Sequence, residues 1–292
     1  MTFSSDSVIF SSAHGFGQMR YVEWGARDND RVVVCVHGLT RNGRDFDALA
    51  EELSSDFRVL CPDIPGRGQS DWLRNPNDYN FVTYIGALTA LIARANVASV
   101  AWVGTSMGGL LGIAIAGQPG TPIGCLVVND VGPAIEAVAL QRLGTYVGAD
   151  PTFATFDELE TYIRTVSAPF GPLPDSQWRH LTETTARQLP DGRWKLRYDP
   201  GIAVPFRTAT DQSPILWALW DAIRCPTLLL RGALSDLLSA ATAKEMSERG
   251  PRPGVIEFEH VGHAPMMLDA DQITPVAAFL RGWGGRASKT VP

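Results

Sequence analysis

The sequence predicts an α/β fold with a mostly parallel sheet, interrupted once by a mostly helical insertion. Three observations predict it. Continuous apolar runs such as RVVVCVHG (31–38) and SVAWVG (99–104) read as strands buried on both faces. Segments of helical periodicity alternate with those runs, as crossovers between parallel strands require. The alternation stops near Val131 and resumes near Pro226, and the residues between are helix-like or irregular.

Taken in order, SVIFSS and MRYVEWG open the chain as β-type runs, the second alternating as a partly exposed strand does. After RVVVCVHG, residues Phe46, Leu49, Ala50 and Leu53 share one helical face. FRVLCPD is a strand that ends in the turn-rich IPGRGQSDW. A helix over 79–95 shows Tyr84, Ala87, Leu88 and Leu91 on one face. SVAWVG follows, then a helix through Met107, Leu110, Leu111 and Ala114, then the strand IGCLVVND. In the insertion, Leu159, Tyr162, Ile163 and Val166 mark a helix. LPDGRWKLRYDP predicts a hairpin about Asp191-Gly192, and PILWALWDAI is helical again. PTLLLRG, a helix near 240–249, GVIEFEHVGH and a helix through Ile273, Val276, Ala277 and Leu280 complete the chain. The expected division is a core of residues 1–130 and 223–292 with an inserted cap of residues 131–222. The tail GGRASKTVP is expected to fray.

Composition narrows the function. With 45% hydrophobic and 19% charged residues the chain is globular rather than disordered. A net charge of −6 without a basic stripe argues against nucleic acid or an anionic membrane as partner. The N-terminal residues do not read as a signal peptide, and no run reaches the ~18 apolar residues of a membrane span. Cys35, Cys61, Cys125 and Cys225 lack metal-ligand spacing and lie in or beside predicted strands, so a reducing, cytoplasmic location is expected.

The chemistry is expected at Gly-Thr-Ser-Met-Gly-Gly (104–109), between a buried strand and a helix. A strand-turn-helix of this kind holds a serine out at the sheet's carboxyl edge, with the helix N-terminus favouring negative charge there. Ser106 is therefore the expected nucleophile. It needs a base. Of the five histidines, His263 fits best, in the loop after the last strand and flanked by Gly262 and Pro265. His260 and His37 are weaker rivals. His14 and His180 lie outside the pattern, and His37 is read as a brace for its loop. Two carboxylates can orient the base: Asp236, just beyond PTLLLRG, is favoured, and Asp130, at the end of IGCLVVND, is the rival. The backbone amides of Leu39 and Met107 are placed to form an oxyanion hole. Trp217 and Trp220, at i, i+3, and Trp72 are candidate pocket residues. No cofactor or metal is expected. The sequence leaves the oligomeric state open.

VHGLT, CPDIPGRGQSDW, GTSMGG, RGALSD and GHAPM, in that order over nearly the whole chain, resemble the α/β-hydrolase superfamily in its capped branch. The resemblance implies an eight-stranded, mostly parallel sheet, a cap over the nucleophile, and hydrolysis through an acyl-enzyme. Serine at the elbow argues against epoxide hydrolases and haloalkane dehalogenases. Ala264 after the histidine argues against many carbon–carbon hydrolases, and Met107 against proline iminopeptidases. An esterase of small to medium carboxylic esters, or of lactones, remains the leading expectation. A carbon–carbon hydrolase or perhydrolase on the same triad, or a non-enzymatic receptor, are the alternatives.

Overall fold

β1 (Ser4–Ser12) and β2 (Gly15–Trp24) form an antiparallel hairpin that runs in register from Ser4 opposite Glu23 to Ser12 opposite Gly15. The structure, a computed structural model, describes residues 3–208 and 213–283. The core continues through β3 (Val32–Val36), α1 (Asp47–Leu53), β4 (Arg58–Pro62), α2 (Phe81–Ala95), β5 (Val100–Thr105), α3 (Met107–Ala116) and β6 (Ile123–Asn129). Then come α4 (Ala137–Tyr146), α5 (Phe156–Val166), α6 (Asp175–Thr185), the short strands β7 (Ala186–Gln188) and β8 (Trp194–Leu196), α7 (Ala203–Thr208) and α8 (Ser213–Ala222). β9 (Thr227–Gly232), α9 (Ala240–Glu248), β10 (Gly254–Phe258) and α10 (Ala270–Gly282) return to the core.

The eight-stranded sheet has the order β1-β2-β4-β3-β5-β6-β9-β10. β2 runs antiparallel to both its neighbours; the pairings from β4 to β10 are all parallel. The strand period of two divides the buried residues between two layers. Val32, Val34, Trp102, Leu126 and Val128 face α2, α3 and α8. Val33, Cys35, Val103, Cys125 and Val127 face α1 and α10 on the other side. Strands buried on both faces have to be apolar throughout, which is why they read as unbroken runs.

Helix limits follow from capping. Asn80 accepts the Thr83 N–H at the start of α2, and Asn96, in the left-handed region at φ 56°, ends it. Thr155 accepts the Glu158 N–H at the start of α5, and the Glu158 carboxylate accepts the Ala154 N–H in return. The inserted segment has a small core of its own, in which Leu159, Ile163, Trp178 and Leu181 pack with Met266 from the loop after β10. The predicted hairpin is β7–β8, with Gln188 opposite Trp194. The cysteines are free thiols, three of them fully buried. Among the described residues no helix is long and apolar enough to cross a membrane. The tail at 284–292 lies outside the described residues.

Candidate active site

β5 ends at Thr105 and α3 begins at Met107, so Ser106 alone makes the bend, with φ 54° and ψ −118°. A non-glycine residue held there costs about 1–3 kcal/mol. The flanking glycines make the bend sterically feasible. A Cβ on Gly104 would meet the Gly108 carbonyl oxygen at 2.2 Å, and one on Gly108 would meet the Val36 carbonyl oxygen at 2.0 Å. The Ser106 N–H donates to the Asn129 carbonyl at 2.9 Å, which ties the bend to the end of β6.

The loop after β10 brings His263 over this bend. Its Nε2 is 2.8 Å from Ser106 Oγ, and its Nδ1 is 2.8 Å from Asp130 Oδ2. The Asn129 side-chain amide donates to the Pro265 carbonyl at 2.7 Å and to Thr105 Oγ1 at 3.0 Å, so it holds the histidine loop against the elbow. The expectation for the third group is corrected here. Asp130, not Asp236, makes the hydrogen bond to His263. Asp130 is fully buried, and its carboxylate also accepts the Gly232 N–H at 2.8 Å and the Ser235 hydroxyl at 2.6 Å. Asp236 instead turns to Arg142 of α4, whose Nε and Nη2 donate to it at 2.6 and 2.9 Å. Those bonds hold the Asp236 carboxyl below the usual carboxylate range.

The other histidines do different work. His37 is fully buried between the Gly38 carbonyl, 2.7 Å from Nδ1, and the Ile64 N–H, which donates to Nε2 at 2.9 Å. These partners fix a neutral ring with the proton on Nδ1. Burial is the main cause that lowers its pKa to about 3. The side chain braces the turn, as its sequence position suggested. His14 faces Asp78, His180 lies beside Arg44 and Asp47, and His260 points into solvent.

Gly38 brings this turn close to the serine: a Cβ there would lie 3.6 Å from Ser106 Cβ. Leu39 and Met107 both border the cavity beside Ser106. Met107 is the first residue of α3, so its N–H has no acceptor inside the helix.

The cavity above Ser106 measures about 1240 Å³. Its floor is the carboxyl edge of the sheet, and its roof comes from the inserted segment through residues such as Tyr146, Tyr162 and Tyr198. The wall is mostly apolar. Two arginines reach it, and each is already matched: Arg142 by Asp236, and Arg41 by Asp45 at 2.6 and 2.9 Å. The three candidate tryptophans do not line it. Trp220 is fully buried in the core and donates to the Met246 carbonyl. Trp217 stacks under Arg249, and Trp72 is 43% exposed beneath Arg187. Asn129 and Ser235 bond to members of this cluster and were missed by sequence reasoning. The polar pair closing LVVND was the available signal for the first.

Comparison with known proteins agrees with this architecture. The sequence profile of the Alpha/beta hydrolase family matches residues 33–277. The chain belongs to that family. Its relatives are hydrolases, esterases among them. It is 46% identical to a 3-hydroxybutyrate-oligomer hydrolase of Cupriavidus necator, over 93% of this chain and 95% of that one. It is 28% identical to an esterase of Mycobacterium tuberculosis, over 91% of this chain and 86% of that one. Among solved structures, an α/β hydrolase from Novosphingobium aromaticivorans superposes with a TM-score of 0.86 at 34% identity, covering 96% of this chain and 98% of that one.

Proposed function

We propose that this protein is a serine esterase whose substrates are short oligomers of 3-hydroxybutyrate and related hydroxyacid esters. The observation that carries the chemistry is the unbroken relay from Ser106 Oγ through His263 to Asp130. Two further observations support the substrate class. One is the likeness to the Cupriavidus necator hydrolase over nearly the full length of both chains. The other is a cavity of about 1240 Å³, which exceeds the ~300–1,000 Å³ of ordinary small-molecule sites and has room for more than one hydroxyacid unit. Residues 131–222 act in this reading as the cap that shapes the acyl and alcohol pockets.

In the acylation step, Ser106 Oγ bonds to the ester carbonyl carbon as its proton passes to His263 Nε2. The carbonyl π pair moves onto oxygen, where the Leu39 and Met107 N–H groups donate to it. Asp130 keeps the ring in the tautomer that accepts this proton and stabilises the imidazolium. The carbon–oxygen bond to the alcohol then breaks, and the alcohol leaves with the proton from His263. Water repeats the sequence on the acyl-enzyme with His263 as base, releasing the acid and free Ser106.

The test joins labelling with turnover. A fluorophosphonate is expected to add one adduct mass at Ser106 in the wild type and none in Ser106→Ala. The wild type is expected to hydrolyse p-nitrophenyl butyrate and to release 3-hydroxybutyrate from its linear dimer and trimer. Failure of the wild type to label and to turn over the butyrate ester overturns the serine reading. Turnover of that ester with intact dimer and trimer overturns the substrate class.

A further inference from the structure

Arg67 comes from the turn-rich segment after β4 and is wholly buried. A buried guanidinium ordinarily needs a carboxylate, because desolvating a charge costs several kcal/mol. The described ion pairs give Arg67 none, and its partners are all neutral. Nε donates to the Leu39 carbonyl at 2.8 Å. Nη1 donates to the Pro65 carbonyl at 2.8 Å and to the Tyr84 hydroxyl at 2.7 Å. Nη2 meets only the Met107 sulfur, at 3.8 Å. The rings of Tyr79 and Tyr84 lie 5.7 and 5.0 Å from its central carbon. An apolar side chain of similar volume would leave the Leu39 and Pro65 carbonyls and the Tyr84 hydroxyl without this donor, so the guanidinium ties these segments together. Its placement carries the further point. The cation is bonded to one of the two residues read above as the oxyanion hole and is in contact with the other.

We propose that Arg67 is a positioning residue for the oxyanion hole. Its planar fork spans the β3–α1 turn and the start of α3, locks Leu39 against Met107, and sets a positive charge with no directly bonded carboxylate behind them. The inference rests on the serine-hydrolase reading above. It adds that the hole is held from behind by a cation that never touches substrate. Such a charge favours the tetrahedral oxyanion over the neutral ester, so it acts on the chemical step rather than on binding. Lysine keeps the charge but lacks a fork able to reach both sides at once.

The wild type, Arg67→Lys and Arg67→Met are compared in three measurements: p-nitrophenyl butyrate kinetics, inhibition by butaneboronic acid, and inhibition by butyrate. The boronate forms a tetrahedral adduct on serine, whereas butyrate resembles only the product. We expect kcat and boronate affinity to fall together by at least about tenfold in either variant. KM and butyrate affinity are expected to stay within about threefold. Circular dichroism checks that each variant is folded, and Arg67→Lys decides the matter where Arg67→Met does not fold. A folded variant with kcat and boronate affinity within about twofold of wild type overturns the proposal. So does one that loses boronate and butyrate equally, the mark of a merely collapsed pocket. A wild type without turnover would overturn the serine-hydrolase reading itself, and its own assay shows that before any variant is compared.

Discussion

Asp130 receives hydrogen bonds from a backbone amide, a serine hydroxyl and the imidazole of His263, all within 2.8 Å. Asp236 receives only Arg142 and is about one-third exposed. If the relay is the working machinery, the two acids separate cleanly on substitution. Asp130→Asn is expected to lower kcat about 10³–10⁴-fold, because the amide no longer fixes the tautomer. Asp236→Asn is expected to keep kcat within a few-fold, as loss of an ion pair about one-third exposed does little to the reacting atoms. Steady-state kinetics on p-nitrophenyl butyrate measure both, and equal losses would count against Asp130. That Ser106 and His263 meet was legible in the sequence, because each sits in a local motif whose geometry is set by its neighbours. Which carboxylate meets the histidine was not. Asp130 and Asp236 follow β6 and β9, which lie side by side in the sheet. The selection between them is made by Arg142, which arrives from α4, and no local pattern announces that contact.

At the scale of elements, packing of α3 against the sheet sets the strictest demand. Gly108 lies against the end of β3, with no room for one methyl group, whereas Gly86 in the exposed face of α2 has nothing within 4 Å of its absent Cβ. The same change at the two sites is therefore expected to have opposite signs. Gly108→Ala is expected to cost at least about 2 kcal/mol through forced separation of strand and helix. Gly86→Ala is expected to gain about 0.5–1 kcal/mol from helix propensity and a less mobile unfolded chain. Urea denaturation monitored by far-UV circular dichroism reads both. Strands and long helices were legible because burial on two faces, or on one, leaves a period in the residues. The orientation of Trp217 and Trp220 was not. Their i, i+3 spacing fixes a shared face of α8 but not its direction, and contact between α8 and α3 turns Trp220 into the core.

For the molecule as a whole, acid is expected to weaken the fold through a buried neutral histidine. His37 has a folded pKa near 3 against an ordinary 6.5, chiefly because burial penalises the charged ring, with Arg67 and Arg41 adding to the effect. The unfolded chain therefore binds the extra proton between those values. Stability from this site is complete above pH 6.5 and is lost as pH falls through the window towards 3, with a slope approaching about 1.4 kcal/mol per pH unit. Denaturant titrations at pH 7, 6 and 5 on the wild type and His37→Gln isolate that slope as the difference between them, because Asp63, raised to about 6 by burial, adds a slope of opposite sign below pH 6. A variant whose pH dependence is identical to that of the wild type would refute the assignment. Ser106 and Asp130 directly follow two adjacent strands, paired from Ala101 opposite Cys125 to Thr105 opposite Asn129, whereas His263 arrives on a separate loop. Two of the three members of the relay thus sit one residue past the last rung of one ladder, and their alignment is inherited from that pairing. If this relay is the working machinery, wear in the roof of the cavity would dull recognition long before it blunted the blade.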